Sequence, residues 1–174
     1  MVMAMLAAGG LECVSDGIRK ADEDNPMGYF EDERVKRLAA SEQCAWLAEA
    51  RGKVIKVVSP LLKDLPPGNH YKILVVRRNL SEVLASQRRM MERRGEHHDQ
   101  PDDVMERMFE RHLQTLETML RGRPEIKWIY LDHREVIEDP RRQAMRICEF
   151  LGKNLDFHKM GAAVDEKLYR NRAT

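Results

Sequence analysis

Apolar and polar positions fall into short blocks, and the period of each block predicts an element. Met3 to Ala8 is apolar and closed by Gly9-Gly10, the pattern of the tail of a buried helix. Residues 15–30 are polar and turn-rich, with Asp22-Glu23-Asp24-Asn25-Pro26 as a loop. Val35, Leu38, Ala39, Ala45 and Trp46 recur at helical spacing, with Gly52 beyond the end, and predict a helix. Val54-Ile55-Lys56-Val57-Val58 is short and β-branched, which predicts a strand stopped by Ser59-Pro60. Pro66-Pro67-Gly68-Asn69 is a turn cluster. Ile73-Leu74-Val75-Val76-Arg77 predicts a second strand. Its unbroken apolar run suits a strand covered on both faces, as in a parallel sheet.

Asn79, with Glu82 three residues on, is a capping-box variant that opens a helix whose apolar face is Val83, Leu84, Met90 and Met91. Gly95 to Asp103 is a polar loop. Val104, Met105, Met108, Phe109, Leu113, Leu116, Met119 and Leu120 then hold the helical pattern as far as Gly122. Trp128-Ile129-Tyr130-Leu131 predicts a third strand. Asp139-Pro140 supplies the cap and first residue of a helix carrying Ala144, Ile147, Cys148 and Leu151 and ended by Gly152. Strands alternating with helices predict an α/β fold with a mostly parallel sheet. Ligands in such folds bind beyond the carboxyl ends of the strands, which directs attention to the loops after Val58, Arg77 and Leu131.

Composition narrows the classes. The 174 residues are 43% hydrophobic and 34% charged, which excludes collagen, low-complexity disorder and a membrane bundle. The length predicts a single domain over 1–174. Thirty Lys and Arg against 29 Asp and Glu leave no net field to draw in nucleic acid or anionic lipid. No apolar run reaches the roughly 18 residues a bilayer requires, so no membrane partner is expected. The apolar start lacks a preceding Lys or Arg and makes a poor signal peptide. Three cysteines without CxxC spacing read as reduced thiols in a cytoplasmic protein. His97-His98-Asp99 with His112 matches no common zinc spacing, so no metal is expected. Arg88-Arg89 and Arg93-Arg94 carry no interleaved aromatic platform and read as a solvated helix end rather than a nucleic-acid site.

The most informative stretch runs from Val75 to Ser86. Arginines leave a buried strand and a helix begins directly after them. Arginine offers a planar fork of donors matched to phosphate oxygens, and a helix start adds backbone N–H groups and partial positive charge. Ser86, about two turns into that helix, carries a further hydroxyl. A structural ion pair at the strand end accounts for the same arginine equally well.

Arg78-Asn79, Val83 and Ser86, in this spacing, resemble the 3′-phosphate-binding motif of the sulfotransferases that use 3′-phosphoadenosine 5′-phosphosulfate (PAPS). Lys56-Val57-Val58-Ser59-Pro60-Leu61 resembles the family's strand end beside the transferred sulfo group. Tyr130-Leu131-Asp132, Glu138-Asp139-Pro140 and Phe150-Leu151-Gly152 resemble its later strand and Asp-Pro helix. Asn25 to Glu31 is similar to a loop of bacterial members. The resemblance covers most of residues 5–155. It implies a three-layer fold like that of P-loop NTPases, with PAPS as sulfo donor. The acceptor would be a hydroxyl or amine on a small molecule, glycan or peptide. Arg78 and Ser86 would hold the 3′-phosphate, Lys56 would lie near the bridging oxygen, and Arg170 and Arg172 would close over the nucleotide. The glycine-rich form of that closing loop is missing, and a solvated tail is the alternative.

Two departures qualify this. The family's phosphosulfate loop, Pro-x-Ser/Thr-Gly-Thr, is absent from these residues, as is its strand. Either the reading frame starts late or the member is degenerate, and the domain is expected to be incomplete at its N-terminus. The lost strand would leave an apolar edge that favours a homodimer. The family's basic His aligns with Val58. The resemblance then leaves Glu31, with Asp24 behind it, as candidate general base, although Glu31 also suits the start of the next helix. The sequence reads as a sulfotransferase-like protein, weak or inactive as it stands. A non-catalytic nucleotide- or partner-binding member and a kinase-like phosphate-handling protein are the alternatives.

Overall fold

A computed structural model describes residues 1–21, 28–40, 44–95 and 101–165. The elements in order are α1 (Val2–Ala8), β1 (Tyr71–Arg77), α2 (Leu80–Arg94), α3 (Asp102–Arg121), β2 (Ile126–Asp132), α4 (His133–Glu138), α5 (Pro140–Leu151) and α6 (Phe157–Ala162). Among the described residues, three short 3₁₀ segments, Glu33–Arg37, Ala45–Ala48 and Ser59–Asp64, lie between α1 and β1. The result is a mixed helix and strand protein with a small parallel sheet.

β1 and β2 pair in parallel from Tyr71↔Ile126 to Arg77↔Asp132, joined through α2 and α3. Side chains alternate across a strand. Ile73, Val75, Ile126, Trp128 and Tyr130 join a core with Leu116 and Leu120 of α3 and with Val35, Leu38, Leu47, Leu62 and Leu65. Leu74, Ile129 and Leu131 join a second core with Met5 and Leu6 of α1, Ala144 and Ile147 of α5, and Met160 of α6. Both faces of the strands are thus covered, as the unbroken apolar run of β1 predicted.

The caps are local and chemical. Asn79 Oδ1 accepts from Ser81 N at 2.9 Å and Asp139 Oδ1 from Arg142 N at 3.0 Å, satisfying orphan donors at the starts of α2 and α5. Gly95 and Gly152 end those helices in the left-handed conformation. α1 packs so closely on α6 that a Cβ at Gly9 would sit 2.6 Å from Met160 Cγ. Met160 is fully buried. Gly9→Ala is therefore expected to lower stability by about 1–3 kcal/mol through overpacking, read as a fall in the urea midpoint at unchanged slope.

Two predicted elements differ. The helix over Val35–Trp46 is replaced by the 3₁₀ segments Glu33–Arg37 and Ala45–Ala48. Of the positions in that period, Val35 and Leu38 are buried and Trp46 packs on the first core, whereas Ala39 and Ala45 are exposed; Leu47, outside the period, is buried. The Cys44 thiol faces the carbonyls of Leu38 and Ala40, at 3.4 and 3.6 Å. The strand over Val54–Val58 is reduced to one parallel bridge, Cys13↔Val54. Its side chains still alternate: Ile55 and Val57 pack on the first core and Val54 on the second. The ladder stops because Asp16 N turns away to donate to Glu31 O at 3.0 Å. The six-residue helices α4 and α6 were not predicted, being too short to register a period.

Candidate functional site

The carboxyl ends of β1 and β2 build the site. The register ends on Arg77↔Asp132, so the next residues, Arg78 and His133, emerge at the same end of the sheet. The two arginines diverge. The Arg77 guanidinium stacks 3.4 Å from the Tyr130 ring centroid and lies 3.8 Å from Glu117 of α3, so it belongs to the first core's side. Arg78 instead donates from Nε to Glu82 Oε2 at 3.1 Å. The Glu82 side chain is only 6% exposed. Ser86 is half-buried and lies one turn beyond Glu82 on the same face of α2.

Asp132 caps α4, its Oδ1 accepting from Arg134 N at 2.8 Å and Glu135 N at 3.3 Å. This turns the chain sharply and leaves His133 half-buried beside the strand ends. Burial lowers the pKa of His133 and the Arg78 charge lowers it further, against the upward pull of Glu82 and Asp132. The net shift favours the neutral imidazole. Sequence reasoning passed over His133. The signal available was its position, one residue past a strand that ends at the ligand-binding edge.

Lys56 and Glu31 form the other half. Lys56 Nζ donates to Glu31 Oε1 at 2.9 Å and to the Tyr29 carbonyl at 3.1 Å. Phe30 between them is left-handed, φ 50°, which turns the Tyr29 carbonyl and the Glu31 side chain toward one ammonium. Arg19 Nη1 lies 3.4 Å from Glu31 Oε2, and its guanidinium lies 3.3 Å from the Tyr29 ring centroid. Burial raises the Glu31 pKa, but the hydrogen bonds and charges of Lys56 and Arg19 outweigh it, and the net shift is downward. The stabilisation from this pair is present above the ordinary carboxylate pKa of 4.5 and is lost as pH falls through the lower folded value. The Met1 amino group links the halves electrostatically, since Lys56 lowers its pKa, after burial, and it in turn lowers that of His133.

The structure therefore brings Glu31 to Lys56 and sets Arg78 on the face of α2 that carries Ser86. Asp24, Arg170, Arg172 and His97 to Asp99 lie outside the described residues. His112 is hydrogen-bonded to Ser59, with Nε2 2.8 Å from Oγ. Among the described residues no group of three or more His, Cys, Asp or Glu converges as a metal site. Val58 is 57% exposed directly before the third 3₁₀ segment, where an apolar side chain takes no proton. A cleft of about 370 Å³, lined by Glu135, Glu138, Asp139, Arg142, Gln143 and Arg146, lies over α4 and α5. It includes none of these candidate residues, and its shallow, mixed-charge wall offers no single ligand chemistry.

A family model described as a sulfotransferase domain matches residues 57–171. That span includes Arg78, Ser86 and His133. No curated protein and no solved structure matches the chain. Among the described residues no helix is long and apolar enough to cross a membrane.

Proposed function

Since the chain belongs to the sulfotransferase domain family, we propose that it handles PAPS and an acceptor hydroxyl or amine at the carboxyl ends of β1 and β2. The observation that carries this reading is the placement of Arg78 at the strand end, at the foot of a capped helix whose same face carries Ser86. The apolar cores on both sides of the strands support the three-layer, P-loop-like arrangement as one domain over 1–174.

The donor set fits a nucleotide phosphate. Arg78 presents a fork of five N–H donors, of which Nε–H engages Glu82, and such a fork can serve a carboxylate and a phosphate together. PAPS, when bound, supplies the sulfo group and a stable leaving phosphate. Arg78 and the Ser86 hydroxyl would hold and orient the 3′-phosphate, with Arg170 and Arg172, outside the described residues, as its further expected cations. Lys56 places a cation where negative charge develops. Glu31 takes the acceptor proton. Its lowered pKa makes it a weak base while Lys56 holds it. Movement of Lys56 toward the leaving oxygen would raise that pKa as the proton is needed. Transfer by these 174 residues is weak, since no phosphosulfate loop occurs among them to orient the reacting group. A non-catalytic nucleotide- or partner-binding member is the second reading, and the half-buried Arg78–Glu82 pair favours its partner-binding form, because an arginine held in a structural ion pair has no need of a phosphate. A cytoplasmic location and a homodimer complete the proposal.

Calorimetry tests the reading. 3′,5′-Adenosine diphosphate is expected to bind at least tenfold more tightly than 5′-AMP, the factor that about 1.4 kcal/mol of added hydrogen bonding to phosphate confers. Equal affinities would reject a 3′-phosphate site.

A further inference from the structure

We propose that His133 completes the anion site begun by Arg78, taking up a proton as a phosphate arrives and donating it to a phosphate oxygen in a charge-assisted hydrogen bond. This rests on the reading of Arg78 given above and adds a second ligand to it.

The geometry comes from the sheet. Parallel pairing of Arg77 with Asp132 fixes the two following residues at the same edge, one opening α4 and the other preceding the cap of α2. Asp132 is committed to the first turn of α4 through its bonds to Arg134 N and Glu135 N. His133 is therefore held by a capped turn rather than by a mobile loop.

The charges facing His133 explain why it should respond to a ligand. From α2 and the residue before its cap come Glu82 and Arg78, from the start of α1 the Met1 ammonium, and from β2 Asp132. Arg78 and Met1 disfavour the imidazolium; Glu82 and Asp132 favour it, and burial tips the balance to the neutral ring. A phosphate at Arg78 adds up to two negative charges and offsets the cation that most opposes protonation. An opposite charge within about 4–6 Å raises an imidazole pKa. The ring then gains a proton from solvent and presents two N–H donors in place of one. No covalent bond changes, and the balance is one proton taken from buffer for each ligand bound.

The test is calorimetry of 3′,5′-adenosine diphosphate in buffers of differing ionisation enthalpy, for the native chain and for His133→Gln. The native chain should take up more protons on binding between pH 6 and 7.5 than the variant, which subtracts the ligand's own titration. Affinity of His133→Gln should fall severalfold at pH 6, approaching the roughly tenfold equivalent of one pKa unit only at lower pH, and little at pH 8. Imidazole NMR of the native chain gives a second readout independent of variant folding: at pH 6.5 the His133 ring should move toward cationic shifts on adding ligand. Equal proton uptake in native and variant chains, or a His133 ring that stays neutral with ligand bound, overturns the inference while leaving Arg78 in place. If 3′,5′-adenosine diphosphate binds no better than 5′-AMP, the Arg78 assignment falls and this one falls with it.

Discussion

Arg78→Ala is expected to cost the fold about 3 kcal/mol, the lower end of what breaking a buried ion pair costs, and to erase the preference for a 3′-phosphate. The two effects have different origins and separate in a double variant. Glu82 is almost wholly buried and would lose the guanidinium that lies 3.1 Å away. Arg78→Ala with Glu82→Gln removes that charge and should recover most of the stability. It should not recover the preference of 3′,5′-adenosine diphosphate over 5′-AMP, because the cation that recognises the phosphate is still absent. Urea denaturation and calorimetry on the three chains read the two quantities independently. If the double variant regains ligand preference as well as stability, Arg78 is a structural residue and the phosphate lies elsewhere.

Lys56→Ala should lower sulfo transfer by about 100- to 1,000-fold, the range for losing one preorganised group at developing charge, measured with labelled PAPS and a panel of alcohols and amines. Nucleotide affinity should change little, since Lys56 is assigned to the reacting oxygen and not to the 3′-phosphate. The fold should tolerate the change. Lys56 and Glu31 are each about a third exposed, 36% and 35%, and an ion pair at that exposure contributes at most about 1 kcal/mol. Glu31→Gln separates base from partner. A general base lost there should cost about 100-fold or more at neutral pH, with the rate of the native chain rising as Glu31 deprotonates. Full retention of transfer in Glu31→Gln would remove Glu31 as the proton acceptor and leave it as the residue that positions Lys56.

The parts legible in the sequence were those set by local chemistry. Asn79, Asp139 and Gly152 announced their caps because each acts on backbone groups within a turn of itself. β1 and β2 were legible because two covered faces require unbroken apolar runs. The Val54–Val58 ladder was not, because β-branched residues specify an extended backbone but not a neighbour. That neighbour was withdrawn when Asp16 bonded Glu31. The same logic applies to the site. Arg78 and Ser86, like Lys56 and Glu31, were placed by resemblance, because the residues alone suited a structural ion pair at the strand end equally well. The direct contact of Lys56 with Glu31 depends on the left-handed turn at Phe30, a bulky residue that no turn rule places there. His133 was hidden because it belongs to no periodic block and acquires its role only when two strands end in register.

The divergence of Arg77 and Arg78 has a consequence for how this chain can change its length. Side-chain direction along a strand has a parity, and adding one residue inverts it for everything downstream. A single insertion within Tyr71–Arg77 would therefore send the second arginine toward Tyr130 and the first toward Glu82, while exchanging the apolar side chains between the two cores. Two inserted residues restore the parity and only displace the strand end along its axis. Length variation in β1 should accordingly be tolerated in pairs and rejected singly, so that which arginine meets Glu82 is an arithmetic property of the strand.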